Sequence, residues 1–535
     1  MSSESAELQI TKHRAFSAPG KALLAGGYLV LFPIYESLVI ALSSRMYAVA
    51  TEIIKNEIRH DDNDDDNNND DNNDKILSNI TVKSPQFKQG EWSYNISFNE
   101  INNNEFFLKI VEINQFKNPF IESTIHTIVS YLGMNFFKLN NYNLIINIFS
   151  DPGFHSTNET IVKKSIDEND KDEENSSLTF LYHNYPITKV PKTGLGSSAC
   201  LVTSLTTCLL SCFIQDFDIN LELNLNKIHN LSQFSHCKAQ GKIGSGFDVA
   251  SATYGSIIYK RFEPKLINEL ISISNEMEIT NFHNKLVETI DEIDWNFKHL
   301  SCSLPKGIKL IMGDIIGGSE TTKLVSKVLN WKNLNLKESE ILFNDLNNSN
   351  LKLINSIENL TNIYNNNLNY YNKLINKLIN NTSIELISIS EFNKEFAIEF
   401  KPLTDIIIAI KEIRKNLKKL TRLSTAEIEP NEQTIILNNC LNLKGVLGGV
   451  VPGAGGYDAI CLLVAEKSIP DILSKTTNQK FVDEENEGTA IEVNETKDRV
   501  ECIDTKIFKN VSWLNLYEQA KGITEISIDR FRGLI

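Results

Sequence analysis

Between Lys192 and Ala199 the chain reads Lys-Thr-Gly-Leu-Gly-Ser-Ser-Ala and then enters the apolar stretch Cys200–Leu210. Two glycines let a backbone come close to an anion, and the apolar stretch predicts a helix whose first N–H groups lack partners. A helix start carries about half a positive charge, so glycines, hydroxyls and helix together make a cradle for phosphate. The order differs from a Walker loop, because Gly-x4-Gly-Lys-Ser/Thr is absent. Ser197 and Ser198 could offer hydroxyls to phosphate or metal, or could simply cap the helix. Two charged residues stand in comparable settings. Lys21 follows Pro19-Gly20 and precedes an apolar run, a junction from which a lysine can reach into a cleft. Asp248 is bracketed by Gly244, Gly246 and the apolar pair Val249-Ala250, where a carboxylate serves either chemistry or a helix cap.

The cradle has two companions. Ala18-Pro19-Gly20-Lys21-Ala22-Leu23-Leu24-Ala25-Gly26-Gly27-Tyr28 feeds the apolar Leu29–Leu42, and Gly448-Gly449-Val450-Val451-Pro452-Gly453-Ala454-Gly455-Gly456-Tyr457-Asp458 feeds Ala459–Val464. Three such clusters suggest three loops converging on one polyanion. In content, order and spacing they resemble the three motifs of the GHMP small-molecule kinases. Within that superfamily, Ala239-Gln240-Gly241-Lys242-Ile243-Gly244-Ser245-Gly246-Phe247-Asp248-Val249-Ala250 with Tyr254-Gly255-Ser256 resembles the fungal-type phosphomevalonate kinases. So do Ser84–Trp92, Lys117–Glu122, and Met312-Gly313-Asp314 with Gly318-Ser319-Glu320-Thr321. The likeness runs from about Arg14 to Ala465.

The resemblance implies a mixed α/β, two-domain α+β fold. A ribosomal-protein-like, ATP-binding N-terminal domain would span 12–265, a ferredoxin-like domain 300–535, with the active site in the interdomain cleft. It implies transfer of the γ-phosphoryl of ATP to the 5-phosphate of phosphomevalonate, with ATP and Mg²⁺ required. Lys21 and Asp248 take the catalytic roles, and Lys192, Thr193, Gly194, Leu195, Gly196, Ser197, Ser198 and Ala199 hold ATP, with Ser198 nearest the metal. Gly27, Tyr28, Ser245, Gly453, Ala454, Gly455 and Gly456 are expected at the substrate. Lys83, Lys88, Lys192 and Lys242 are unranked partners for its phosphate or carboxylate, Gly318, Ser319 and Thr321 could start another phosphate-binding helix, and Asp458 is expected to cap the next element. Cys200 stands where the family pattern has Ala or Gly.

These residues need rigid elements behind them. Leu38–Thr51, Asn143–Phe149, Gly255–Phe262 and Lys309–Gly313 read as strands; Ala199–Ile214, Leu225–Ala239 and Ser319–Leu329 read as helices. Residues 265–300 form a variable bridge, and Leu342–Ile379 has helical spacing mixed with Asn. Leu403–Leu423 predicts an amphipathic helix with Ile406, Ile410, Ile413, Leu417 and Leu420 on one face. Its other face holds Lys411, Arg414, Lys415, Lys418, Lys419 and Arg422, either a solvated face or a funnel for charged substrates.

A chain of 535 residues, 41% hydrophobic, is expected to form two domains. The net charge of -15 argues against nucleic-acid binding through a basic surface. Met1–Leu8 is polar and acidic, unlike a signal peptide, and no apolar run is long enough for a membrane span. Eight cysteines without CxxC pairs suggest reduced thiols and a cytoplasmic protein. The acidic, Asn-rich insertions near 61–74, 157–177 and 483–498 cannot bury apolar area and read as disordered loops; the first lacks the glycine and glutamate of a calcium loop. Small-molecule partners, no nucleic acid or membrane, and a monomer or homodimer complete the expectation. A kinase acting on mevalonate itself is disfavoured by Gly244–Ala250 and Ser84–Trp92, and a catalytically silent sensor by the intact Lys21, Ser197, Ser198 and Asp248. Protein kinase motifs are absent.

Overall fold

A computed structural model describes residues 9–10, 13–56, 76–102, 105–114, 116–155, 160–164, 178–275, 279–315, 321–476, 505–508, 511–514 and 516–535. The insertions at 61–74 and 483–498, most of that near 157–177, and Gly318 and Ser319 lie outside them. The chain divides into two compact units: one of Met1–Ala22, Leu29–Ser303 and Glu518–Ile535, the other of Leu23–Tyr28 and Leu304–Tyr517.

In the first unit the Val-, Ala- and Ile-rich segment becomes a 21-residue strand, Glu36–Asn56. It pairs antiparallel with Asn141–Ser150 and with Ile257–Lys260, and Ala15–Ala25 joins it. Ile76–Lys83 adds to Asn141–Ser150 in parallel, and the hairpin partners Glu91–Asn102 and Glu105–Glu112 extend that side. Three helices, Pro119–Leu139, Ser197–Phe213 and Glu222–Gln240, pack on one another, and Ser197–Phe213 also packs on the long strand. Ser197–Phe213 is buried from Ala199 to Leu210, which explains its unbroken apolar sequence. The bridge after residue 263 is ordered here as helices Pro264–Asn275 and Ile279–Val287 and strand Lys298–Ser301.

The second unit contains an antiparallel sheet in the order Val446–Val450, Ala459–Ala465, Ile308–Ile315, Val511–Leu514. Taken along the chain this is strand, helices, strand, strand, helix Ile469–Thr476, strand, the ferredoxin-like order expected. The periodic stretch Leu342–Ile379 is two helices, Leu336–Asn366 and Leu368–Asn380, because Asn367 leaves helical geometry and caps the second. The amphipathic helix is Lys401–Ser424. Arg414 departs from the expected basic face: it is buried and forms an ion pair of 2.7 Å with the fully buried Glu429, which also accepts from Thr434.

The boundary at the C-terminus differs from the expected 300–535. Residues Glu518–Ile535 return to the first unit, where Thr524–Ile526 pairs with Ala15–Ser17. The buried Arg45 guanidinium fixes this return by donating to Gln519 Oε1, Gly522 O and Thr524 Oγ1 as well as to Ser17. A strand of three residues has too little sequence to announce itself by alternation.

Candidate active site

Within the first unit the strand carrying Lys21 is stitched to the phosphate-cradle loop, its backbone N–H donating to Leu195 O at 3.1 Å. Cys200 adds a second stitch: its buried thiol donates to Pro19 O at 3.1 Å. The residue that departs from the family pattern therefore links the cradle helix to the lysine loop. Lys21 Nζ donates to Gly194 O at 3.0 Å and lies 5.4 Å from the centre of the Phe247 ring. Burial pulls its pKa below the ordinary lysine value, and the Asp248 carboxylate opposes that fall.

Neither serine is a helix cap. Gly196 holds the N-cap of Ser197–Phe213 in the left-handed region at φ 82°, with no side chain capping the helix. The N–H groups ahead of Ala199 have no intrahelical partner and are left for a ligand, whereas the Ala199 N–H already donates to Gly196 O at 3.1 Å. Gly194, at φ 73°, has open space where a Cβ would stand. Lys192 and Thr193 lead into this turn; Lys192 bridges to His155, and Thr193 donates to Gly153 O through its hydroxyl at 2.5 Å.

A second short helix, Phe247–Tyr254, begins beside the first, capped by Gly246 rather than by Asp248. Asp248 lies in its first turn, where one carboxylate oxygen accepts the Val249 N–H at 3.0 Å. A Cβ on Gly196 would stand 3.2 Å from Lys21 Cε and 3.7 Å from Asp248 Cβ, so the cradle, the lysine and the carboxylate meet. Ser245 precedes the cap, its carbonyl accepting from Tyr259 Oη at 2.9 Å.

One member of this cluster gave no signal in the sequence. His236 Nε2 lies 3.0 Å from Ser198 Oγ, 3.2 Å from Gln240 Nε2 and 4.0 Å from Asp248 Oδ2. Phe120 stacks on its ring at 5.5 Å. Burial lowers the His236 pKa, outweighing the pull of Asp248. With the Gln240 amide as donor, the neutral imidazole is assigned its proton on Nδ1, and the single Nε2 lone pair is shared between the Gln240 amide and the Ser198 hydroxyl. With its proton turned to His236, Ser198 Oγ presents lone pairs outward, as a metal ligand must. Ser198 Oγ and the Asp248 carboxylate are the hard oxygen donors that suit Mg²⁺, which takes one or two protein ligands and completes its shell with phosphate and water. Among the described residues no cluster of three His, Cys, Asp or Glu forms a metal cage.

In the second unit, Tyr28 Oη donates to Ala454 O at 2.6 Å and joins the Gly26–Tyr28 segment to the third glycine cluster. A Leu417 methyl lies 3.2 Å from where a Gly27 Cβ would be. Gly455, at φ 82°, is pressed so closely on Ile428 that a Cβ would lie 2.2 Å from its carbonyl oxygen, and Gly456 N–H donates to that same oxygen at 3.0 Å. Asp458 does not cap a helix: the next element is strand Ala459–Ala465, and its carbonyl accepts from Ile315 N–H. Of the unranked lysines, Lys83 is paired with Glu91 at 3.7 Å and Lys88 is exposed, whereas Lys242 is near enough to oppose protonation of His236.

Comparison with known proteins fits this geometry. Residues 169–256, which hold the cradle and Asp248, match the GHMP kinases N terminal domain. A phosphomevalonate kinase of Candida albicans is 40% identical over 97% of this chain and 100% of its own length. The phosphomevalonate kinase erg8 of Aspergillus fumigatus is 31% identical over 86% of this chain and 88% of its own. A Lin0012 protein from Listeria innocua has a similar fold, with a TM-score of 0.56 at 14% identity, covering 96% of this chain and 100% of that one.

Proposed function

The chain belongs to the phosphomevalonate kinases, and we propose that Lys21, Asp248 and the loop of residues 192–199 are the parts that carry out its reaction. The γ-phosphoryl of ATP passes to the 5-phosphate of (R)-5-phosphomevalonate, giving 5-diphosphomevalonate and ADP on the route to isoprenoids and sterols. An oxygen of the acceptor phosphate attacks Pγ, the bond from Pγ to the bridging oxygen breaks, and that electron pair leaves on ADP. The observation that carries the assignment is the meeting of Lys21, Asp248 and Ser198 at two glycine-capped helix starts.

The acceptor determines what these residues have to do. A phosphate monoester has a second pKa of about 6, so near neutrality it is already mostly ionised and needs little help from a base. The obstacle is repulsion between two anions, and the remedy is fixed positive charge and aligned N–H donors. The helix start at Ser197 supplies donors to the nucleotide phosphates, and Lys21 brings its ammonium to the transferred group. The charge of Asp248 opposes the lowering of the Lys21 pKa by burial. Mg²⁺, held by Ser198 Oγ and Asp248, would neutralise the charge of the β- and γ-phosphates. His236 sets the direction of the Ser198 hydroxyl. Within the first unit, contact with phosphomevalonate is assigned to Ser245.

No helix among the described residues is long and apolar enough to cross a membrane. We place the protein in the cytoplasm, a reducing compartment that suits the seven described cysteines, which stand outside disulfides. ADP release with Mg²⁺-ATP, measured separately with phosphomevalonate and with mevalonate, tests the function. Turnover with phosphomevalonate alone is expected; turnover with mevalonate alone would overturn it.

A further inference from the structure

The basic stripe of helix Lys401–Ser424 borders a cavity of about 960 Å³ lying wholly in the second unit. Its residues run from Ile407 to Arg422 along the helix, about 22 Å at 1.5 Å per residue, so the cavity is elongated. The floor is aliphatic, built from Ile384, Ile387, Ile407, Ile410, Leu441 and Leu447. Ile384 is 51% exposed, which leaves apolar surface without a cover. The rim carries Lys411, Lys415, Lys418, Lys419 and Arg422. Among the described residues none of these five has an ion-pair or hydrogen-bond partner. Asp345 and Glu391 also line the cavity, and Arg414 is neutralised by Glu429, so positive charge is in excess. In a chain of net charge -15 this is a local concentration of unpaired cations.

We propose that this cavity binds an anionic amphiphile, a molecule with a phosphate, diphosphate or carboxylate head on an aliphatic chain. Each part of the lining selects for one part of such a ligand. The cations recognise the head, and the isoleucines and leucines cover a hydrocarbon that a small polar anion does not possess. Among the described residues no aromatic ring lines the cavity, so a nucleotide base would find no face to stack on there. None of the residues assigned to ATP or phosphomevalonate lines it either.

Calorimetric titration of the full chain with decyl phosphate, below its micelle concentration, tests this. Decanoate, decan-1-ol and inorganic diphosphate are titrated in parallel, with and without a non-hydrolysable ATP analogue. One saturable site for decyl phosphate or decanoate is expected, unaffected by the nucleotide analogue, and the tighter of the two identifies the head group. Decan-1-ol and diphosphate are expected to bind at least ~10-fold more weakly, because each lacks one half of the match. The variant carrying Lys411→Glu, Lys415→Glu and Lys418→Glu reverses exposed charges, and Ile384→Glu places a charge on a half-exposed floor residue. Each should weaken binding at least ~10-fold while circular dichroism is unchanged. The proposal is overturned by the absence of saturable binding, by displacement with the ATP analogue, or by equal affinity in both variants.

Discussion

Lys21 and Asp248 depend on each other unequally. Burial lowers the Lys21 pKa and the Asp248 carboxylate opposes that fall, while Asp248 also accepts a backbone N–H from Val249. Lys21→Met removes the charge that offsets repulsion in the transition state, and kcat should fall by roughly 10²- to 10³-fold, the range for losing one preorganised electrostatic partner. Asp248→Asn keeps the shape and loses the charge; a fall in kcat of at least ~10-fold is expected, and a smaller one would remove Asp248 from any central role. The pH profile separates this mechanism from base catalysis. Activity should decline as pH falls through about 6, where the acceptor phosphate takes up its proton, and that limb should persist in Asp248→Asn because it belongs to the substrate. His236 acts through Ser198 and Asp248, so it is a positioning residue. In His236→Ala the Ser198 hydroxyl loses its acceptor, and the Mg²⁺-ATP KM should rise more than the phosphomevalonate KM. His236→Gln, which can still accept from Ser198, should recover part of the loss. Equal KM changes for both substrates in His236→Ala would indicate a purely structural role.

At the scale of elements, glycines that look alike in the sequence do different work. Gly194 and Gly455 both have positive φ, but the first faces open space and the second faces the Ile428 carbonyl. Gly194→Ala should cost about 1 kcal/mol of stability, the strain of a left-handed backbone alone. Its main effect should be a raised KM for ATP, because the new methyl enters the cradle. Gly455→Ala must also displace a backbone carbonyl, and a loss above about 3 kcal/mol in urea unfolding is expected. Similar losses in the two variants would mean that Gly194 is a packing glycine. The same contrast shows what could be read from the sequence. The cradle, Lys21 and Asp248 were legible because a glycine before a helix, or before a charged residue among apolar ones, is a local pattern. His236 was not legible: it lies inside a helix among other buried polar residues, and its partner Ser198 is 38 positions away in the chain. Arg414 looked like one more cation of the basic face, since only the fold brings Glu429 against it.

For the whole molecule, the return of the C-terminal segment to the first unit was hidden for the same reason, because it is fastened by Arg45 rather than by a long strand. Beside that arginine lies Asp151, whose buried carboxylate accepts the Arg45 backbone N–H at 2.8 Å and the Tyr47 hydroxyl at 3.0 Å. Burial raises its pKa to about 7, against the opposing pull of those hydrogen bonds and of Arg45. The unfolded chain releases this proton near the ordinary value of 3.8, so between there and about 7 the folded state holds a proton that the unfolded state lacks. This contribution to stability is complete below pH 3.8, declines as pH rises, and is gone above about 7. Asn at this position keeps an oxygen for both donors and does not titrate. The urea midpoint of the native chain should therefore drop more between pH 5 and pH 8 than that of Asp151→Asn. Parallel slopes in the two proteins would show that Asp151 is ionised throughout that range, held so by Arg45.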